Sequence, residues 1–147
     1  MRSLAYLLGI AAGFGLSVQV GMNSQLRKVL QNANTAALIS FLVGTAGLVA
    51  LLVATRTTMP TRDTLASVPV WAWFGGLMGA FYVAISTVVA ASLGTTSLLG
   101  LTLLGQLATA LVIDHYGWLG LEQHPITLTR IAGVALLGAG VWLITRP

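Results

Sequence analysis

The sequence predicts an all-α membrane protein whose 147 residues form a single domain of about five transmembrane helices. Three observations support this prediction. Only 7% of the residues are charged and 56% are hydrophobic, whereas about 25% of the residues in a typical soluble domain are charged. The hydrophobic residues lie in five runs, each close to the ~20 residues that cross a bilayer as a helix. All four prolines lie between or after these runs, where a missing backbone N–H is tolerated.

The five spans follow one another with short connections. We expect them at residues 4–22, 36–54, 71–92, 96–113 and 128–145. The first run has a short basic start and an apolar centre, as a signal peptide does, and we interpret it as a retained span. The connection Leu93-Gly94-Thr95 is so short that spans three and four are expected to form an antiparallel hairpin.

Helix starts are marked by residues that accept hydrogen bonds from the free N–H groups of a first turn. Asn34 or Thr35 is expected to cap the second span, and Thr127 the fifth. Aromatic residues that favour the membrane–water interface lie near the span ends, namely Trp71, Trp73, Tyr116, Trp118 and Trp142. Both patterns place the helix boundaries close to where hydropathy places them.

Positive charge is almost evenly divided between the two membrane sides that five spans create. One side carries Arg2, Arg56, Arg62 and Arg130, and the other carries Arg27, Lys28 and Arg146. Orientation follows the bias of Lys and Arg in short loops, so a count of four against three selects neither orientation. We therefore predict dual topology and an antiparallel dimer. The alternative is one fixed orientation that finer features determine.

The overall charge and the absence of certain residue types limit the kinds of partner and cofactor that we expect. The net charge of +4 comes largely from single basic residues near span ends, which indicates contact with lipid headgroups rather than nucleic acid. The chain has no cysteine and two well-separated histidines, so neither a metal site nor a cofactor is predicted. It also lacks the sequence motifs of nucleotide-binding loops, zinc proteases and serine hydrolases, and no enzyme activity is predicted.

Uncharged polar residues inside the spans are the candidates for a substrate pathway. Gln19 and Asn23 are four residues apart and share a helix face, which Gly15 extends by one turn. Gln106 lies near the middle of the fourth span, where an amide without partners costs several kcal/mol, so we expect it to face the bundle interior or a wet cavity. Whether these amides line a pathway or only join helices stays open. Gly15 and Gly44 are predicted to pack helices together.

Small residues form a second pattern in the third span. Gly75, Gly76 and Gly79 form one small-residue face, which continues to Tyr82 and Ser86. Because glycines let helix backbones approach closely, helix packing is the favoured interpretation of the three glycines. The hydroxyl groups of Tyr82 and Ser86 are further candidates for lining a substrate pathway.

A cluster of titratable residues lies where the fourth span ends. Asp114 and His115 end that span, and Arg130 begins the fifth on the same membrane side. An ion pair of Asp114 with Arg130 is the favoured interpretation, because interfacial charges usually pair. The alternative makes Asp114 or His115 a proton-coupling group, since histidine changes charge near neutral pH. No charged residue or histidine lies at the centre of a span, which argues against a carboxylate-centred antiporter of cationic drugs.

Several short patterns, taken together and in order, resemble one known family. They are Gly15-x3-Gln19-x3-Asn23, Ser40-Phe41-x2-Gly44, Gly75-Gly76-x2-Gly79-Ala80-x-Tyr82-Val83, Gly105-Gln106, Ile113-Asp114-His115-Tyr116-Gly117 and Arg130-x2-Gly133. The ordered set resembles the small YdcZ-like family of the drug/metabolite transporter superfamily and extends over nearly the whole chain. A proline that the family pattern has near Ser92-Leu93-Gly94 is missing here.

The resemblance implies a five-helix protein of the bacterial inner membrane that carries small molecules. It also implies a ten-helix unit of two antiparallel five-helix halves, so a homodimer or a heterodimer with a paralogous chain is expected. Together with the uncharged polar residues, it predicts an exporter that works by alternating access around a midplane site suited to a neutral solute. A passive channel and a non-transporting scaffold or accessory subunit are the alternatives. Replacing Gln106 with leucine is expected to remove transport and leave assembly intact.

Overall fold

The computed structural model describes residues 2–146. For Arg2, one of the positive charges counted above, it describes only the backbone. The helices in this range are α1 (Arg2–Leu30), α2 (Ala33–Ala54), α3 (Arg62–Ala66), α4 (Gly75–Leu93), α5 (Thr95–Tyr116) and α6 (Leu128–Thr145). A 3-10 helix, Val70–Phe74, leads into α4, and another, Trp118–Gly120, follows α5. This described range contains no β-strand.

Five of these segments are long and apolar enough to cross a membrane, which confirms the predicted all-α membrane architecture. They are Ser3–Leu30, Ala33–Ala54, Val70–Leu93, Thr95–Tyr116 and Leu128–Thr145. Large apolar side chains on these helices lie exposed, among them Ile10 and Phe14 at 72% and Leu136 at 74%. Lipid is the solvent that accepts such side chains on the outside of a helix.

The first helix is longer than its predicted span, which ended at residue 22. α1 continues to Leu30 and includes Arg27 and Lys28 in its last turn. Positive side chains are favourable at a helix C-terminus because the helix dipole is negative there. The side-chain amide of Gln31 donates to the carbonyl of Lys28 over 2.7 Å and satisfies one of the free carbonyl groups of that turn. The two charges therefore belong to the helix rather than to the loop after it.

Two residues connect α1 to α2, and they correct the predicted cap of the second span. Gln31 adopts a left-handed φ of 54°, and Asn32 is the N-cap of α2. The side-chain oxygen of Asn32 accepts a hydrogen bond from the backbone N–H of Thr35 over 2.9 Å. The prediction of Asn34 or Thr35 as the cap was wrong, because the helix begins earlier, at Ala33.

Two further helix boundaries agree with the sequence prediction. Gly94, with a φ of 80°, is the single residue between α4 and α5. A positive φ is strained for most residues and open to glycine, which explains why glycine occupies so short a connection. Thr127 is the N-cap of α6, as predicted, and its hydroxyl accepts a hydrogen bond from the backbone N–H of Arg130 over 3.3 Å.

Aromatic side chains mark two helix ends, as the interface pattern predicted. The rings of Tyr116 and Trp118 stack with their centroids 5.2 Å apart where α5 ends. The guanidinium carbon of Arg146 lies 3.5 Å from the ring centroid of Trp142 at the end of α6. Groups with one apolar and one polar side favour the membrane–water interface, so these pairs indicate where the two helices leave the hydrocarbon.

The chain divides into two compact units, of which the first ends at Val88 and the second begins at Val89. In the first unit α1 packs against α2, and Val20 is 2% exposed. In the second unit α5 packs against α6. Gly100 allows this packing, because a Cβ added there would lie 3.2 Å from a methyl group of the buried Val141. A single domain over the whole chain stays a prediction.

Candidate functional site

The predicted pathway residue Gln19 lies at a small cavity in the first unit. α1 supplies Gln19, and α2 supplies the other lining residues, Ser40, Phe41, Gly44, Thr45 and Leu48. The cavity has a volume of about 190 Å³, equal to about six water molecules at liquid density. Its polar side chains are one amide and two hydroxyl groups, and none of them is charged. This lining can hydrogen-bond an uncharged polar group.

Asn23, four residues after Gln19 on α1, has a different environment. Gln19 is exposed, whereas only 4% of Asn23 is exposed. Next to Asn23, the hydroxyl oxygen of Ser24 is buried and has no hydrogen-bond partner among the described residues. The sequence did not single out Ser24. A buried polar atom without a partner is costly, and the hydroxyl of Ser24 is such an unbonded polar group inside the first unit.

The two predicted hydroxyl groups of α4 differ in whether they are already bonded. Ser86 is 1% exposed and donates to the carbonyl of Val83 over 3.0 Å, within its own helix. Thr87, which the sequence did not single out, is fully buried and donates to the carbonyl of Ala84 over 2.9 Å. The hydroxyl of Tyr82 is buried and finds no partner in the described part of the chain. Tyr82 therefore keeps an unbonded donor, which a ligand could use only after the side chains that bury it move.

A second, apolar cavity is lined by α2 and α4. Its volume is about 410 Å³, and its lining includes Ala37, Phe41, Leu77, Ala80 and Phe81. Phe41 lines both this cavity and the cavity beside Gln19. Gly79 makes room for that ring, since a Cβ added there would lie 3.2 Å from Phe41 Cζ. The ring of Phe41 is therefore a shared wall of the two cavities.

Of the five glycines predicted to pack helices, Gly79 is the one that closely approaches another helix in the part of the chain that the structure describes. A Cβ added to Gly15, Gly44, Gly75 or Gly76 would meet nothing within 4 Å. These four positions therefore have no close neighbour that a larger side chain would meet. Their packing role stays a prediction about the assembled protein.

Gln106 lies on the exposed surface of α5 in the second unit, near the middle of the helix. Its side chain is exposed within its own unit, and the expectation that it faces the interior of the five-helix bundle or a wet cavity stays a prediction. Hydrocarbon offers an amide no hydrogen-bond partner, so a polar group of the protein, a ligand or water must cover this side chain in a membrane.

Asp114 and Arg130 are in contact where α5 ends and α6 begins. Arg130 Nη1 donates to Asp114 Oδ2 over 3.4 Å, and the two side chains are 41% and 33% exposed, respectively. A cleft of about 400 Å³ adjoins the pair and is lined by Leu107, Ala110, Leu111, Gly133 and Val134 as well. Within residues 2–146, no three side chains of the His, Cys, Asp or Glu type come together in a way that could hold a metal ion.

The segment after α5 folds back onto the end of that helix, and His115 holds part of it. The Nδ1 atom of His115 accepts a hydrogen bond from the backbone N–H of Ile126 over 3.3 Å. The amide of Gln123 donates to the carbonyl of His115, and the backbone N–H of His124 donates to the carbonyl of Asp114, each over 2.8 Å. An accepting Nδ1 requires the neutral tautomer with its proton on Nε2. Protonation of His115 at Nδ1 would therefore break its contact with Ile126.

Comparison with known proteins gives one family over nearly all of the chain. The family model described as "Putative inner membrane exporter, YdcZ" matches residues 4–143. One curated relative, "Inner membrane protein YdcZ" of Escherichia coli (strain K12), is 30% identical over 152 residues, which cover 99% of this chain and 97% of the relative. No solved structure matches the chain. The similarity thus extends over all five spanning helices rather than over one motif.

Proposed function

We propose that this chain, which belongs to the YdcZ family of multi-pass inner membrane proteins, exports small neutral molecules. The family is one of membrane transporters rather than enzymes. The mechanism proposed is alternating access in an antiparallel dimer, with an uncharged polar site near the membrane midplane. Transporters built from inverted halves commonly bind their substrates at that depth, at the interface between the halves.

The observation that carries this proposal is the exposed amide of Gln106 near the middle of a membrane-spanning helix. An amide that faces hydrocarbon loses its hydrogen bonds to water and gains none, at a cost of several kcal/mol on an apolar reference scale. A second copy inserted in the opposite orientation can cover such a surface and brings mid-helix residues to the same depth. Gln19, also exposed within a spanning helix, gives the same argument for the first unit.

The uncharged polar side chains within the spanning helices favour the proposal of a neutral substrate. Gln19, Tyr82 and Gln106 offer amide and hydroxyl groups without fixed charge, and in the described chain the hydroxyl of Tyr82 is unbonded. These groups can hydrogen-bond a neutral polar or amphipathic solute, but they supply no counter-charge for a bare cation. The hydroxyl of Ser86 already bonds the carbonyl of Val83 and Asn23 is 4% exposed, so these two residues are proposed to act in the same site only if binding exposes them.

Proton coupling is proposed for Asp114 and His115, which lie near the end of α5. Asp114 is about 12 Å from Gln106 along the helix axis, at 1.5 Å per residue. Asp114 contacts Arg130, and His115 accepts a hydrogen bond from the backbone N–H of Ile126, so a change of charge at either residue would alter a contact between α5 and the segment that follows it. Asp114→Asn and His115→Gln are each expected to make export independent of the proton gradient. Unchanged gradient dependence in both variants would refute this coupling role.

The transport proposal is tested on the purified protein in proteoliposomes. A thermal-shift screen of neutral polar metabolites first selects a solute, since a ligand raises apparent stability when it binds the folded state. Counterflow of that solute then separates a transporter from a channel, because a transporter is stimulated by solute on the opposite side. Gln106→Leu is expected to lose counterflow while eluting as the same oligomer, and Gln106→Asn, which keeps the amide, is expected to retain part of it. Normal counterflow in Gln106→Leu would overturn the role of this residue.

The antiparallel dimer is tested by disulfide cross-linking, for which the absence of native cysteine gives a clean background. In an antiparallel pair, mid-helix residues can meet their own copies, so Gln106→Cys is expected to cross-link with itself. Thr95→Cys lies on the same face of α5 about 16 Å away along the axis, so its two copies would be about 33 Å apart. A disulfide requires Cα atoms within about 7 Å, so the control is expected to form no covalent cross-link. Cross-linking of Thr95→Cys, or of neither variant, would contradict an antiparallel homodimer.

Dual topology is tested with a single cysteine in the connection between α2 and α3. Thr58 is exposed in that connection, at one membrane side of the chain. A membrane-impermeant maleimide is expected to label about half of Thr58→Cys in intact cells and all of it after permeabilisation, given the weak charge bias. Labelling of nearly all or nearly none in intact cells would show a single orientation.

A further inference from the structure

We propose that the cleft between α5 and α6 binds a phospholipid whose zwitterionic headgroup carries a primary ammonium group. The cleft has a volume of about 400 Å³, an ion pair at one end and an otherwise apolar lining. Neither the family match nor the transport proposal assigns a ligand to this place. The occupant follows from three features, which are the direction of the cleft, the charges at its end and the glycine that opens it.

The cleft runs from a helix end into the depth of the spanning helices. Asp114 lies near the end of α5, and Leu107 lies seven residues earlier, about 10 Å deeper at 1.5 Å per residue. Leu107 is 41% exposed, so the deep part of the cleft is open at the surface of the helix pair. A charged end at the interface followed by an open apolar groove matches the two halves of a phospholipid.

The charges at the cleft end are complementary to a zwitterion rather than to a single charge. Arg130 and Asp114 make one contact of 3.4 Å, from Nη1 to Oδ2. Among the described residues neither side chain has another hydrogen bond, so most guanidinium N–H groups and Asp114 Oδ1 are available. A phosphate can bind Arg130 while an ammonium group donates to Asp114, and each contact is charge-assisted. A purely anionic headgroup would lie against the Asp114 carboxylate, and a trimethylated one has no N–H to donate.

Gly133 provides the space for an acyl chain. It lines the cleft, and a Cβ added there would meet nothing within 4 Å. A larger side chain at this position would therefore extend into the cleft without a clash with the protein. Gly140 is the matched control, because it lies on the same helix, has the same open surroundings and does not line the cleft.

The test measures lipid binding to the purified full-length protein in detergent by native mass spectrometry. Three lipids with identical acyl chains are compared, namely phosphatidylethanolamine, phosphatidylcholine and phosphatidylglycerol. The ethanolamine lipid is expected to bind about tenfold more tightly than the other two, the loss typical of one charge-assisted hydrogen bond. Asp114→Asn is expected to remove this preference. Gly133→Leu is expected to lower the binding of all three lipids, and Gly140→Leu to leave binding unchanged.

The same experiment gives the outcomes that would overturn the proposal. Equal binding of the ethanolamine and choline lipids to the unmodified protein would exclude the Asp114 contact, whether or not any variant folds. Equal binding of the glycerol lipid would reduce the site to a phosphate on Arg130. Equal affinity for water-soluble glycerophosphoethanolamine and for the lipid would show that the acyl chain lies outside the cleft. Unchanged binding in a folded Gly133→Leu variant would exclude the cleft itself.

Discussion

Replacing Gly44 with leucine is expected to close the cavity beside Gln19 and to leave the fold intact. Gly44 lines that cavity on α2, and a Cβ added there meets nothing within 4 Å. The leucine side chain adds four carbon atoms to a space of about 190 Å³, the volume of about six water molecules. A solute that hydrogen-bonds Gln19 from this cavity would then have to displace the leucine.

Gly44→Leu is expected to lower the transport rate without lowering the stability of the fold. In a helix interior leucine is favoured over glycine by about 0.8 kcal/mol, and at the centre of a membrane span it contributes about 0.5 kcal/mol more. The free energy of unfolding should therefore stay constant or rise by about 1 kcal/mol. Transport should fall at least tenfold, which corresponds to a barrier increase of about 1.4 kcal/mol or more. A variant that is stable and inactive separates a blocked site from a damaged fold.

The assay compares counterflow in proteoliposomes with thermal unfolding followed by tryptophan fluorescence. Gly47→Leu is the control, because Gly47 is also on α2 and open within 4 Å, but does not line the cavity. Gly47→Leu should transport normally. Normal transport by Gly44→Leu would refute the role of the cavity. Equal loss in both variants would show that the affected feature is the outer surface of α2 and not the space beside Gln19.

Three further predictions concern stability, each measured as the free energy of unfolding in lipid bicelles. A double-mutant cycle of Asp114→Asn and Arg130→Gln should give a coupling free energy of about 0.2–1 kcal/mol, because both side chains are partly exposed. A coupling free energy above about 3 kcal/mol would show that assembly buries the pair. Gly79→Leu should be less stable than Gly44→Leu by about 1–3 kcal/mol, because the new side chain overlaps the ring of Phe41, and equal stability of the two variants would contradict the close approach. Asn32→Ala should cost about 1 kcal/mol by removing the cap of α2, while Asn32→Asp should retain most of the stability.

The number and the positions of the spanning helices could be predicted because hydropathy and length are properties of the sequence alone. The end of α1 could not, because Arg27 and Lys28 suit both a loop and the last turn of a helix. What fixes that end is the conformation of the next two residues. Gln31 has a positive φ and Asn32 caps the following helix, and neither is evident from residue type.

The environment of the amides was less predictable than their positions. The spacing of Gln19 and Asn23 places both on one side of α1, yet Asn23 is buried and Gln19 is exposed. Helix periodicity shows which residues share a face, but the neighbouring helices decide how far along that face burial extends. For Gln106 the depth in the membrane could be predicted from its position in the span, but depth does not determine what covers a side chain.

The cluster at the end of α5 was predicted in part. That Asp114 and Arg130 are close follows from their positions at the ends of consecutive spans, and the structure places them 3.4 Å apart. The bond from Ile126 to His115 was not foreseen, because it depends on a loop in which Leu119 has a φ of 60° although it is not glycine. Such backbone conformations are rare for branched residues and carry no signal in residue spacing.

The position of Phe41 makes the sizes of two cavities interdependent. The same ring borders a polar space of about 190 Å³ and an apolar space of about 410 Å³, and it is 36% exposed rather than locked in a core. A different rotamer of this single side chain would change the size of both spaces, because the ring borders each of them. A bulky apolar occupant on one side would thereby alter the room left for a polar occupant on the other, without any movement of the helices.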